Sequence, residues 1–360
     1  MAAVSTGLPR WTIWVPAMAW LVLVVTYAVP GHGVLLAIAA AALGGAVFSA
    51  VHHAEVVAHR VGEPYGTLVL AVAVTVIEVA LIVSVMLTSV PEKADLARDT
   101  VFAAVMIVCN GLVGICVLVG GIQHREQGFQ VRGASAATAV LAALSVLTLV
   151  IPNYTSSTPG PTLSPSQLAF AGLSSLVLYG VFVFIQTVRH RDYFLPDEPD
   201  EDVHAAPPSA AVAWLSAGLL VVCLVAVVLL AKVLSPVVES AVHEAGAPPS
   251  TVGIVIAALV LLPEGLAAVR AAHSDRLQNS LNLALGSALA CIGLTIPTVA
   301  LVCLSTGKAL LLGIDGKETV LLALTLLVSA LTLGTGRTTV LQGAVHLVLF
   351  VAYLFLAIVP

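Results

Sequence analysis

The sequence predicts an all-α polytopic membrane protein of about eleven transmembrane helices, one N-terminal helix followed by two inverted five-helix repeats. Three observations predict it. Of the 360 residues 59% are hydrophobic and only 9% charged, with a mean hydropathy of +1.08, whereas a soluble domain carries roughly a quarter charged residues. Apolar stretches of about 17 to 25 residues, the length that crosses hydrocarbon, recur along the whole chain. Lysine and arginine gather on alternate loops, as they do when cytoplasmic loops hold their excess. Such a composition excludes a water-soluble enzyme, a secreted disulfide scaffold and a nucleic-acid binder, which needs a basic face. Cys109, Cys116, Cys223, Cys291 and Cys303 all lie in apolar runs and read as small core residues. No cofactor is expected.

Residues 1–32 hold the first span: Arg10 precedes an apolar run from Trp11 to Val29, and no small-residue cleavage site follows it, so it reads as a helix and not as a removed signal. The first repeat, 33–188, has spans near 33–51, 67–89, 101–121, 134–151 and 168–187. An acidic, proline-containing linker, 189–210, carries Asp197, Glu198, Asp200, Glu201 and Asp202 and reads as a solvated cytoplasmic tether. The second repeat, 211–360, has spans near 211–234, 251–272, 281–304, 319–333 and 339–359.

Charge sets the orientation. Arg10, Arg60, Arg125, Arg132, Arg189, Arg191, Arg270, Arg276 and Arg337 fall on the N-terminal side, and Lys93, Arg98, Lys232, Lys308 and Lys317 on the other. The N-terminus is therefore expected in the cytoplasm and the C-terminus outside, in a prokaryotic inner (plasma) membrane, with lipid as the surrounding partner. Two five-helix units joined in sequence then enter with opposite orientations, the usual build of secondary transporters. Asn110, Gly114, Val117 and Gly121 share a helical face at 100° per residue, and Gly286, Ala290, Gly293 and Pro297 repeat those offsets. Small residues so spaced also serve plain helix packing.

Two carboxylates carry the functional argument. Glu78 lies midway along the third span and Glu264 midway along the eighth. An acid at a helix centre costs about 2.5–3.5 kcal/mol on insertion scales, so one in each half needs a reason. Thr67, Ala71, Thr75 and Ser89 share the stripe of Glu78, and Gly253, Ala257, Ala268 and Ala271 that of Glu264. Pro263 cannot donate a backbone hydrogen bond, so the eighth helix is expected to break beside Glu264 and free carbonyls there. With Asn110, Asn282, Thr75 and Ser287 as accessory ligands, the oxygen set suits a hard cation such as Ca²⁺ or Na⁺. The ionised pair carries two negative charges, which a divalent cation or two protons neutralise. Cation and protons then compete for one site, which is the condition for exchange.

These residues resemble the ChaA-type cation/proton antiporters of the calcium/cation exchanger superfamily. The likeness runs from His53, Glu55, His59, Arg60, Gly62, Glu63, Pro64, Tyr65 and Gly66 to Asn110–Gly114, then Pro263–Leu266, Leu281–Leu283 with Gly286 and Ser287, Thr295 with Pro297, Thr335–Thr338, and Gly343 with His346 and Leu347. The resemblance implies an eleven-helix antiporter that imports protons while extruding Ca²⁺, Na⁺ or K⁺, with Glu78 and Glu264 alternately protonated. Vacuolar-type calcium exchangers place polar neighbours beside each acid; here Glu78 follows Val76 and Ile77, and Glu264 follows Leu262 and Pro263, so strict calcium selectivity is not implied.

His52, His53, Glu55 and His59 crowd the inner end of the second span. His53 and His59 are six apart, whereas the helical zinc motif needs histidines four apart, so the group reads as a titrating interface cluster. His53, His59 and His346 are pH-sensing candidates, since histidine titrates near neutrality. The expected function is secondary cation/proton antiport, with Ca²⁺ first and Na⁺ or K⁺ as further cargo. A cation channel or a membrane-embedded metal-dependent hydrolase is the alternative, although no nucleophile or metal triad is present to serve the latter.

Overall fold

The computed structural model describes residues 8–29, 32–62, 65–88, 94–195 and 207–359. Eleven helices run through them: α1 (Trp11–Ala28), α2 (Gly33–Val61), α3 (Tyr65–Thr88), α4 (Leu96–His124), α5 (Val131–Tyr154), α6 (Pro165–Arg189), α7 (Ala210–Glu244), α8 (Thr251–His273), α9 (Leu277–Thr306), α10 (Gly316–Leu333) and α11 (Val340–Ile358). Ten are long and apolar enough to cross a bilayer, and the described part of α3 supplies a shorter apolar stretch, Thr75–Ser84. The protein is an all-α polytopic membrane protein. Its one sheet among the described residues is the short antiparallel pair of β1 (Gln127–Gly128) and β2 (Arg337–Thr338). The linker acids Asp197, Glu198, Asp200, Glu201 and Asp202, and Ser89, lie outside the described residues.

Helix ends depart from the hydropathy spans because hydropathy marks what lipid must accept and not where backbone bonding stops. Thus α2 continues to Val61 through the histidine cluster, α7 continues to Glu244 through Pro236, and α4 starts at Leu96. The expected break at Pro263 is also corrected: α8 is continuous from Thr251 to His273. Proline lacks one N–H, so only the Leu259 carbonyl loses its regular donor, and a helix packed among others tolerates that single loss. Elsewhere, polar side chains set the starts. Ser164 with Gln167, Asp315 with Glu318, and Thr339 with Gln342 form reciprocal capping boxes at α6, α10 and α11, satisfying amides that the first turn leaves open.

The described chain forms two compact bodies. The first contains α1, α2, α3 and most of α7. Here α2 packs on both α1 and α3, and buried polar groups pin α2 to the start of α1. Ser49 Oγ donates to the Thr12 carbonyl at 3.1 Å and His53 Nε2 donates to the same oxygen at 2.9 Å. Trp20 Nε1 donates to the Val222 carbonyl of α7 at 3.2 Å.

The second body contains α4, α5, α6, α8, α9, α10 and α11, with α4 and α9 the most deeply buried. Glycines let outer helices approach these two. A side chain on Gly343 of α11 would stand 2.6 Å from the Leu118 nitrogen of α4, and one on Gly114 would stand 3.0 Å from the His346 Cβ. On the other flank, a side chain on Gly293 of α9 would stand 2.7 Å from the Tyr179 Cβ of α6. In a bilayer, where lipid is as apolar as leucine, such close backbone contact is what drives helices together. The small-residue stripes therefore serve packing, of α4 on α11 and of α9 on α6. Loops pair in the same alternation: Gln127, between α4 and α5, pairs with Thr338, between α10 and α11, and Thr162, between α5 and α6, pairs with Leu311, between α9 and α10. Exchanging the two expected five-helix repeats converts each of these pairings into the other.

Candidate functional site

In the first body, α3 turns Thr75, Ile77, Glu78, Leu81 and Ile82 inward and leaves Val72 and Val76 on the surface. Glu78 is only 4% exposed, and Thr75 places a buried hydroxyl one turn before it. The side chains of Thr67 and Ala71, expected on this stripe, lie outside the described residues.

In the second body, α8 buries Gly253, Ala257, Glu264 and Ala268 on one face, as their spacing requires, with Ala271 half-buried. Glu264 is 7% exposed. The small neighbours bring α8 onto α4: a side chain on Gly253 would stand 2.8 Å from the Asp99 carbonyl carbon, and one on Gly265 would stand 3.6 Å from Leu112 Cδ1. The residue after Glu264 thus rests on the part of α4 that carries Asn110.

That part of α4 is a π-helix, Ile107–Leu112. A π-turn inserts an extra residue into the helix and is frequent at functional sites. Gly111 and Gly114 turn to Phe350, His346 and Leu347 of α11, whereas Asn110 turns to α10. The fully buried Asn110 donates from Nδ2 to Thr325 Oγ1 at 2.8 Å, with Met106 Sδ 3.8 Å away. Its Oδ1 is buried and accepts no hydrogen bond from the described residues. A buried carbonyl oxygen without a protein donor is open to a water or a cation.

Asn282 does something else. Its Nδ2 donates to the Phe194 carbonyl at 2.6 Å and its Oδ1 accepts from Gln278 Nε2 at 3.0 Å, while Gln278 Oε1 takes the Gln130 amide at 2.7 Å. The carboxamide is engaged at both ends in anchoring the segment that follows α6. Ser287 is half-buried on α9, beyond Asn282 by more than one turn. Among the histidines, His53 is buried between α1 and α2, His59 is exposed, and His346 is fully buried with Nε2 bonded to Thr332 Oγ1 at 3.0 Å. No three His, Cys, Asp or Glu side chains gather as a metal cage among the described residues. The five cysteines are buried and form no disulfide.

Two features had not been anticipated. Asp99 is buried in the first turns of α4, paired with Arg98 by contacts of 2.7 and 2.8 Å, and Arg98 also donates to the Gly313 carbonyl at 3.3 Å. Adjacent opposite charges just before an apolar run were the only sign of it. The second is Thr325. The spacing of Thr325, Ser329 and Thr332 puts three buried polar groups on one face of α10, a periodicity visible in the sequence.

The sequence model of the sodium/calcium exchanger protein family matches residues 32–188 and again 215–359. A putative ionic transporter, y4hA, from Sinorhizobium fredii is 50% identical over 359 residues, covering 99% of this chain and 98% of its own. The sodium-potassium/proton antiporter ChaA of Escherichia coli is 36% identical over 359 residues, covering 98% and 97%. The solved structure of native YfkE superposes with a TM-score of 0.75 at 16% identity, covering 97% of this chain and 100% of the other.

Proposed function

We propose that this chain, which belongs to the sodium/calcium exchanger protein family, exports a cation in return for protons through Glu78 and Glu264. It is an integral membrane secondary transporter of inorganic cations and not an enzyme. The observation that carries the finer reading is the pair of buried acids, one on α3 and one on α8, each midway along its helix. Protonated, the two carboxyls are neutral and tolerate apolar surroundings; ionised, they demand a compensating charge. One divalent cation or two protons meet that demand equally, so occupancy by one excludes the other and alternating access couples their movements. Asn110, Thr75 and Ser287 are the accessory oxygens in this reading, and Asn282 belongs to the scaffold.

Ca²⁺ is the first cargo proposed, because two carboxylates and neutral oxygens match its preference for hard, mixed ligands. Na⁺ and K⁺ stand beside it, supported by the identity to a relative named for exchanging both. The arginine-rich loops support a cytoplasmic N-terminus and an external C-terminus, in the reading of a prokaryotic inner (plasma) membrane. The two separate family matches support two five-helix repeats, 33–188 and 211–360. His53, His59 and His346 remain the pH-sensing candidates, with His53 and His346 bonded across helix pairs. The test is proton release from everted vesicles on adding each cation in turn. Release that requires the cation and follows its concentration supports exchange; cation current with no proton movement contradicts it.

A further inference from the structure

We propose that Thr325 of α10, together with Met106 of α4, positions the Asn110 carboxamide so that its oxygen is presented to the transported cation. The inference rests on the reading of Asn110 as an accessory ligand. An asparagine offers either a donor or an acceptor at a site, according to which end of its amide faces the site. Here the choice is made behind it. Met106 is one turn before Asn110, and its thioether sulfur accepts hydrogen bonds but cannot donate. Both Thr325 Oγ1, at 3.5 Å, and Asn110 Nδ2, at 3.8 Å, approach this sulfur.

Turned the other way, the amide would set its oxygen against the sulfur lone pairs, acceptor against acceptor. Thr325 reinforces the selection. With its single proton directed to Met106 Sδ, the hydroxyl meets Asn110 as an acceptor, and the 2.8 Å contact is filled by the amide N–H. Asn110 Oδ1 is left facing away from this pair, fully buried and without a donor among the described residues.

Within the π-helix of α4 Asn110 reaches Thr325 of α10, whereas Gly111 and Gly114 face Phe350, His346 and Leu347 of α11. The same segment packs on α8, the helix of Glu264. A neutral oxygen on a segment that packs against the helix of Glu264 would add to a hard cation's ligand set without adding charge, so Thr325 acts on cation affinity and not on the number of protons exchanged. Glu264 and Asn110 touch the cation in this account; Thr325 and Met106 do not.

The experiment uses the full chain in proteoliposomes, with Ca²⁺, Na⁺ and K⁺ each as the driving cation and proton movement as the readout. Direct cation binding to the purified protein is measured beside it by calorimetry. Thr325→Val keeps the shape and removes the hydroxyl; Thr325→Ser keeps the hydroxyl; Asn110→Ala removes the ligand. Thr325→Val should raise the apparent KM and the calorimetric Kd about tenfold, the effect of one misdirected polar contact, with maximal rate and protons per cation unchanged. Thr325→Ser should behave as the parent, and Thr325→Val should add nothing to Asn110→Ala, since the two belong to one contact. A parental KM in Thr325→Val, while Asn110→Ala is impaired, would overturn the positioning role and leave the ligand reading intact. Parental behaviour of Asn110→Ala would overturn both. Loss of maximal rate and thermal stability in Thr325→Val, with KM unmoved, would show a merely structural hydroxyl and overturn the proposal as well.

Discussion

Asn282 donates from its carboxamide to the Phe194 carbonyl at 2.6 Å, tying the start of the inter-repeat linker to α9. Phe194 is itself buried and meets Phe182 edge-on at 5.8 Å, and Arg132 lies over the Tyr193 ring at 5.2 Å. An asparagine so engaged is part of the frame. Asn282→Ala should lower stability by about 1–3 kcal/mol through the unsatisfied carbonyl and leave the cation KM unchanged. Thermal unfolding and transport on the same preparation check both halves, and a raised KM at parental stability would return Asn282 to the ligand set.

The charge pair at the start of α4 makes a second prediction. Asp99 is 8% exposed and its partner Arg98 is less covered. Arg98→Met leaves a buried carboxylate without its cation, a change that should cost roughly 1–3 kcal/mol, between the surface and fully buried limits. Replacing both, as Arg98→Met with Asp99→Asn, should recover most of the loss. If the double variant unfolds as readily as the single one, the pair is not what holds Asp99 in place.

Backbone contact between α4 and α11 makes a third. The Cβ of Gly343→Ala has the Leu118 nitrogen 2.6 Å away and the Gly114 carbonyl oxygen 3.0 Å away, and neither is a flexible side-chain end. Overpacking of this kind costs about 1–3 kcal/mol. Gly218→Ala on α7, with nothing within 4 Å, should instead be neutral or stabilising by removing a glycine from a helix interior. Equal tolerance of both changes in a thermal-shift assay would contradict the close packing described for α11.

A shared site also has a pH dependence whose sign is fixed. Lowering the pH puts protons on the oxygens that the cation needs, so apparent cation affinity should fall as pH falls and recover as pH rises. Binding a divalent cation at low pH should release up to two protons, which calorimetry in buffers of different ionisation enthalpy counts directly. Affinity constant from acid to alkaline pH would mean that protons and cations occupy different groups.

Much of this was legible in the residues alone, and unevenly so. Helix number could be read because lipid imposes one criterion, apolar length, on every span. Glu78 and Glu264 stood out for the complementary reason, that a central acid is costly wherever it points. Other features depend on neighbours that sequence spacing does not reveal. The contact of Asn110 with Thr325, the burial of Asp99 under α8, and the continuity of α8 through Pro263 are outcomes of packing. Periodicity at 100° per residue put Asn110 with Gly114, and spacing alone did not show that one meets α10 and the other α11. Thr325 was within reach, since its spacing with Ser329 and Thr332 is an ordinary helical repeat.

The central claim is that both buried acids carry protons in exchange for the cation. Glu78→Gln and Glu264→Gln keep side-chain size and hydrogen-bonding capacity and remove only the ability to ionise and take up a proton. The deciding measurement is cation-dependent proton release in everted vesicles, with each variant shown to be inserted and folded. Each substitution alone should abolish coupled exchange for every cation the parent transports. Proton release at the parental rate and stoichiometry in either variant would contradict the claim and remove that glutamate from the exchange.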